Sequence, residues 1–154
     1  PGAILWLTLF RDKIDEIMEQ VKCPVAVFVN RQYREGATVS FVLGGMIDLF
    51  LFSYLDKMLQ NGHSVRLFLF DTDDEEFRGR IDDLQVRYPE QTMIVWFEGV
   101  EDLVTEEKDG LLIMSHLSYT KLSEDEAVMR ELSSLLVIRR NKNKGEKNER
   151  LEIG

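Results

Sequence analysis

Cysteine, proline and histidine are scarce in this 154-residue chain, which holds one, three and two of them. A lone Cys23 closes no internal disulfide and fits a reducing compartment. With no redox motif beside it, Cys23 reads as a small residue at the start of a strand. Two histidines and one cysteine, all distant in sequence, give no zinc spacing. No apolar run approaches the roughly 20 residues of a membrane-spanning helix. The longest near the start, residues 3–7, is far shorter and lacks the flanks of a signal peptide. The chain opens on Pro1 rather than Met, which suggests a fragment or a processed product.

Positive charge is also in short supply, with 19 basic against 28 acidic side chains and a net charge of −9. Residues 139–154 hold six basic and three acidic groups, so the remaining body carries 13 basic and 25 acidic ones, a net −12. Such a body repels nucleic-acid phosphates, which argues against an RNA or DNA partner. The basic tail has the charge to touch an anionic membrane surface, at about 1 kcal/mol per Lys or Arg near it; the plainer reading is a solvated tail. Residues 141–154 lack apolar side chains up to Leu151 and are expected to be disordered.

What is present is a repeating rhythm, set by residues 38–59. Val39-Ser-Phe-Val-Leu43 reads as a buried strand, and Gly44-Gly45 as a tight turn. Ile47, Phe50, Leu51, Tyr54, Leu55 and Met58 then recur on one helical face. Asn61-Gly62 stops that helix. Strands follow at 65–70, 92–97, 111–114 and 135–138. Between them lie a helix striped by Phe77, Ile81, Leu84 and Tyr88, a short one around Val100, Leu103 and Val104, and one carrying Val128, Leu132 and Leu135 behind a Ser123/Glu126 capping box. Residues 115–120 read as a loop. From residue 38 this makes five strands alternating with four helices, which predicts an α/β fold with an open parallel five-stranded sheet flanked by helices. Ahead of it stand one extra helix, with Ile14, Ile17, Met18 and Val21, and one extra strand at 24–29. Pro24 ends that helix and is tolerated at a strand's first residue.

The pattern resembles a universal stress protein-like domain (adenine nucleotide alpha hydrolase-like), and more narrowly the cytosolic C-terminal region of monovalent cation/proton (Na+/H+) antiporters, where two such domains follow the membrane part. The residues that carry the resemblance are Cys23-Pro-Val-Ala-Val-Phe-Val-Asn-Arg31, the strand running into Gly44-Gly45, and Asp109-Gly-Leu-Leu-Ile-Met114. It implies three parts: residues 1–31 as the terminal helix and strand of a preceding stress-protein-like domain, residues 37–140 as a complete one, and the tail 141–154. It further implies a non-catalytic regulatory or interaction role at the cytoplasmic face of the inner (plasma) membrane. The membrane part of the same antiporter would be the partner, and the fragment itself would be soluble. Last strands of such domains pair across a dimer. By analogy residues 24–29 lie beside 135–138 or beside a neighbouring chain's edge, and a homodimer is expected.

Nucleotide-binding stress proteins carry an acid directly after the first strand and a Gly-x-x-Gly loop after the fourth, whose backbone N–H groups grip phosphates. Here no acid follows Gly44-Gly45 until Asp48, and residues 115–120 hold no glycine. No cofactor is therefore expected. An adenine nucleotide, or another anionic ligand, at Gly44, Gly45, Ser115 and His116 stays open as the alternative, that of a free-standing universal stress protein. Acids crowd the same rim at Asp71, Asp73, Asp74, Glu75 and Glu76 and at Glu98, Glu101 and Asp102. The first cluster lacks the spacing and central glycine of a calcium loop and reads as a helix-opening face. Ser115-His116 lacks the third, orienting group that nucleophilic catalysis needs. His63 reads as surface, and Trp6 and Trp96 as packing residues.

Overall fold

The run Val25–Val29 lies inside the sheet, paired along both edges, and four of its five residues are buried there. The computed structural model of the chain describes residues 5–9, 14–70, 72–105 and 108–140. Its strands are β1 (Leu5–Leu9), β2 (Val25–Val29), β3 (Val39–Leu43), β4 (Val65–Phe70), β5 (Thr92–Phe97), β6 (Leu111–Ser115) and β7 (Ser134–Arg139). They form one seven-stranded sheet in the order β1-β2-β7-β6-β3-β4-β5. Every neighbouring pair is parallel except β2 with β7. The helices are α1 (Ile14–Gln20), α2 (Phe52–Gln60), α3 (Glu75–Arg87), α4 (His116–Leu122) and α5 (Glu126–Met129), with 3-10 turns at Met46–Leu51 and Val100–Leu103.

Side chains on a strand alternate between faces, and the apolar runs of β3 and β4 feed two cores. Phe41, Leu43, Leu67 and Leu69 pack with Leu51, Leu55 and Leu59 and with Phe77, Ile81 and Leu84 of α3. On the opposite face Val42, Met114 and Val137 pack with Ile14 and Met18 of α1 and with Tyr119 and Leu122 of α4. Each fully buried Leu or Phe contributes about 1.5–3 kcal/mol, and a strand covered on both faces has to be apolar throughout. This is an α/β fold with a mostly parallel sheet flanked by helices.

Several expectations are corrected. The sheet has seven strands, not five plus one extra, because residues 5–9 form β1 as well; β2 lies beside β7, the first of the two places expected for it. It is not wholly parallel, since β2 meets β7 head to tail. Residues 115–120 are not a loop: Ser115 caps α4 by accepting from the Ser118 N–H. The helix expected to carry Val128, Leu132 and Leu135 shrinks to α5, capped by Asp125 rather than Ser123, and Leu135 belongs to β7. Trp96 is 45% exposed, with the Arg78 guanidinium 4.9 Å above its ring, so it is not a core residue. The tail 141–154 and the side chain of Trp6 lie outside what the structure describes.

The antiparallel β2–β7 pairing, centred on Val27↔Val137, joins the unit β1–α1–β2 to the unit β6–α4–α5–β7. Cross-strand tethers follow the same pattern. Arg139 donates to the carbonyls of Met18, Val21 and Cys23 at the end of α1. Arg31 donates to Met129 O at 2.6 Å and Leu132 O at 3.1 Å at the end of α5. Helix C-termini leave carbonyls unsatisfied, and a guanidinium fork suits them in geometry and charge.

Candidate functional site

From β3 the chain builds outward through β4 and β5, then returns to the other side of β3 to lay down β6 and β7. The order reverses between β3 and β6, which pair from Val39↔Leu111 to Phe41↔Ile113. In open α/β sheets the ligand crevice lies at such a switch point, beyond the carboxyl ends of the strands. At those two ends stand Gly44-Gly45, in the turn after β3, and Ser115-His116, where β6 passes directly into α4. Four residues distant in sequence thus reach one end of the sheet.

At this end of the sheet lies Asp48, a side chain the sequence reading did not single out as a site residue. Its carboxylate is 0% exposed. Oδ2 accepts from the Gly44 backbone N–H at 2.5 Å and from the Ser118 hydroxyl at 3.0 Å. Ser115 joins through its hydroxyl oxygen, which accepts from the Ser118 N–H at 3.1 Å. Oδ1 has no hydrogen-bond partner among the described residues. A buried charge is costly unless hydrogen-bonded, and one bare oxygen is a departure from the usual satisfaction of buried polar atoms.

The two glycines are explained by this carboxylate. A Cβ on Gly44 would sit 3.2 Å from Asp48 Oδ2 and 3.3 Å from Ser118 Oγ, tighter than ordinary packing. Gly45 has φ +132°, a conformation that disfavours any side chain. The 3-10 turn that follows does the rest. At three residues per turn, positions i and i+3 share a face, so Asp48 and Leu51 point inward while Ile47 is left 45% exposed. The helical stripe expected to start at Ile47 therefore starts one residue later. The available signal was a single acid in the apolar run Met46-Ile-Asp-Leu-Phe-Leu-Phe52; a charge there is either exposed or held by specific partners.

His116 does not join this group. Its Nε2 lies 3.0 Å from Asp15 Oδ1 of α1, so it links the N-terminal unit to α4 rather than pointing at Ser115. His63 is exposed, as is Cys23 just before β2. Among the acids at the rim, Asp74 caps α3 by accepting from Glu76 N–H and Phe77 N–H, and Asp102 accepts from Glu98 N–H at 3.1 Å. Asp71 lies outside the described residues. No group of three or more metal-ligating side chains occurs among the described residues, and no helix among them is long and apolar enough to cross a membrane.

A cleft of about 950 Å³ opens at the opposite end of the sheet, lined among others by Thr38, His63, Arg66, Thr92 and Met93. It sits where β3, β4 and β5 begin, away from the switch point. The Arg66 guanidinium lies 5.7 Å over the Phe68 ring. Neither family models nor curated proteins match the chain.

Proposed function

We propose that this chain is a non-catalytic regulatory and interaction module, the cytosolic C-terminal part of a monovalent cation/proton antiporter. In this reading residues 37–140 are a universal stress protein-like unit, and the segment up to Arg31 is the end of a preceding one. The observation that carries it is the head-to-tail pairing of β2 with β7. A last strand set against another last strand is what two such units side by side would produce. The hydrogen bonds from Gly44 and Ser118 to Asp48 Oδ2 support a role without catalysis, because both donors are spent on the chain's own carboxylate.

The module would act by biasing the transporter's conformational equilibrium, through self-association, a partner or a small ligand. Any of these shifts the equilibrium only by its differential affinity for the two states. Removing residues 37–140 from the full-length antiporter and measuring cation/proton exchange in membrane vesicles tests the proposal. A changed rate, pH response or assembly is expected; all three unchanged would overturn it. The alternative, an adenine-nucleotide-binding stress protein, is weakened by the carboxylate at the switch point. Calorimetry with ATP, AMP and cyclic nucleotides, with and without magnesium, tests the alternative: micromolar binding would revive it or merge it with the module reading, and no binding would set it aside.

A further inference from the structure

We infer that the turn after β3 is an anion-binding cradle already occupied by the chain's own carboxylate, and that Asp48 is the residue that closes the switch-point crevice to free carboxylates. This inference does not depend on the transporter reading.

The donors are of two kinds and converge on one oxygen: the Gly44 backbone N–H at 2.5 Å and the Ser118 hydroxyl at 3.0 Å. The hydroxyl is held in place because the Ser118 N–H is itself anchored on Ser115 Oγ. Ser115 and Ser118 are buried, so the cradle is built into the core edge and is not a surface accident. Gly44 lacks the Cβ that would crowd both the carboxylate oxygen and the hydroxyl. Backbone N–H groups approached this closely through glycine form concavities for anions.

The cradle and its occupant fit imperfectly, and the misfit points to the vacated site's preference. Tethered through its own Cβ to the 3-10 turn, Asp48 presents Oδ2 to both donors and leaves Oδ1 bare at 0% exposure. A free carboxylate has no such tether and is able to turn both oxygens toward donors. Truncating Asp48 at Cβ removes one carboxylate, and formate has the size and charge of what is removed. A second anion beside the intact Asp48 would meet like charge in a buried place, which opposes binding to the wild-type chain.

Melting midpoints of the wild-type chain, Asp48→Ala and Asp48→Asn, each in sodium formate and in sodium chloride of equal ionic strength, test the inference. Formate is expected to raise the Asp48→Ala midpoint by about 3 °C or more over chloride at tenfold saturation. It is expected to leave the wild-type chain and Asp48→Asn unmoved, because the asparagine still fills the cradle and still accepts from Gly44. Equal behaviour in the two salts for Asp48→Ala would overturn it, as would the same formate shift in all three chains. If Asp48→Ala folds only with added anion, recovery in formate and not in chloride supports the inference; no recovery in either salt overturns it.

Discussion

Arg31, just past β2, and Arg139, in β7, reach in opposite directions across the β2–β7 pair, each holding carbonyls at the end of the helix that leads into the other's strand. Charged donors on helix-end carbonyls contribute about 1.5–3 kcal/mol. Arg31→Ala and Arg139→Ala are each expected to lower unfolding free energy in urea by that amount. Arg139→Lys should recover less than half, since the bonds to Met18 O and to Val21 O and Cys23 O leave two different guanidinium nitrogens, which one ammonium cannot replace. Full recovery by lysine would show that charge alone matters there.

At the turn after β3, Gly44→Ala forces a Cβ against Asp48 and Ser118 and is expected to cost about 1–3 kcal/mol. Gly45→Ala should cost a similar amount through its φ of +132°. Gly79 is the control. It lies inside α3 with nothing within 4 Å of a built Cβ, so Gly79→Ala should stabilise by about 0.4–1 kcal/mol. Thermal melts of the three variants in one buffer make the comparison.

A pure helical stripe would bury Ile47 and Leu51 alike, and the 3-10 turn separates them. With Ile47 45% exposed and Leu51 fully buried, Ile47→Ala should change stability by no more than about 0.5 kcal/mol. Leu51→Ala should cost about 2–5 kcal/mol. Equal losses in chemical denaturation would place Ile47 in the core and contradict the 3-10 turn.

The His116–Asp15 contact joins α4 to α1, yet Asp15 is 66% exposed. Exposed pairs of this kind contribute about 0.2–1 kcal/mol. His116→Ala is therefore expected to weaken folding by no more than that, and raising the salt concentration should shrink the difference between variant and wild type. A loss several times larger would mean that His116 holds the N-terminal unit in place.

Taking away residues 1–36 removes β1 and β2 and bares one edge of β7, whose sequence Ser-Leu-Leu-Val-Ile-Arg carries a single charge. Bare apolar strand edges invite pairing with other chains. Residues 37–154 alone should therefore self-associate more strongly than the whole chain in sedimentation velocity, and equal behaviour would mean that β2 protects nothing.

Much of this fold was legible because its signals are local. Val39-Ser-Phe-Val-Leu43 before two glycines, and Phe77, Ile81 and Leu84 at helical spacing, announce themselves within a dozen residues. The region after β6 was not legible, because α4 turns Ser118 inward alongside Tyr119 and Leu122, and a buried serine breaks an apolar stripe. The pairing of β2 with β7, rather than with a neighbouring chain's edge, was one of two expectations drawn from resemblance, and no local window of sequence chooses between them. The site was half readable. Gly44, Gly45 and Ser115 pointed to the right end of the sheet, but their shared partner Asp48 becomes visible only when a 3-10 turn rotates it inward and α4 brings Ser118 to it.

The placing of β2 also sets an order of assembly. Arg31 meets Ser134 across 103 residues of chain, so a segment made early waits for one made late before either gains its neighbour. Pairings this remote slow folding, because loop closure precedes any gain from contact. Closing that seam is expected to be the late, rate-limiting step on the ribosome and in refolding alike, with β3, β4 and β5 assembled before it.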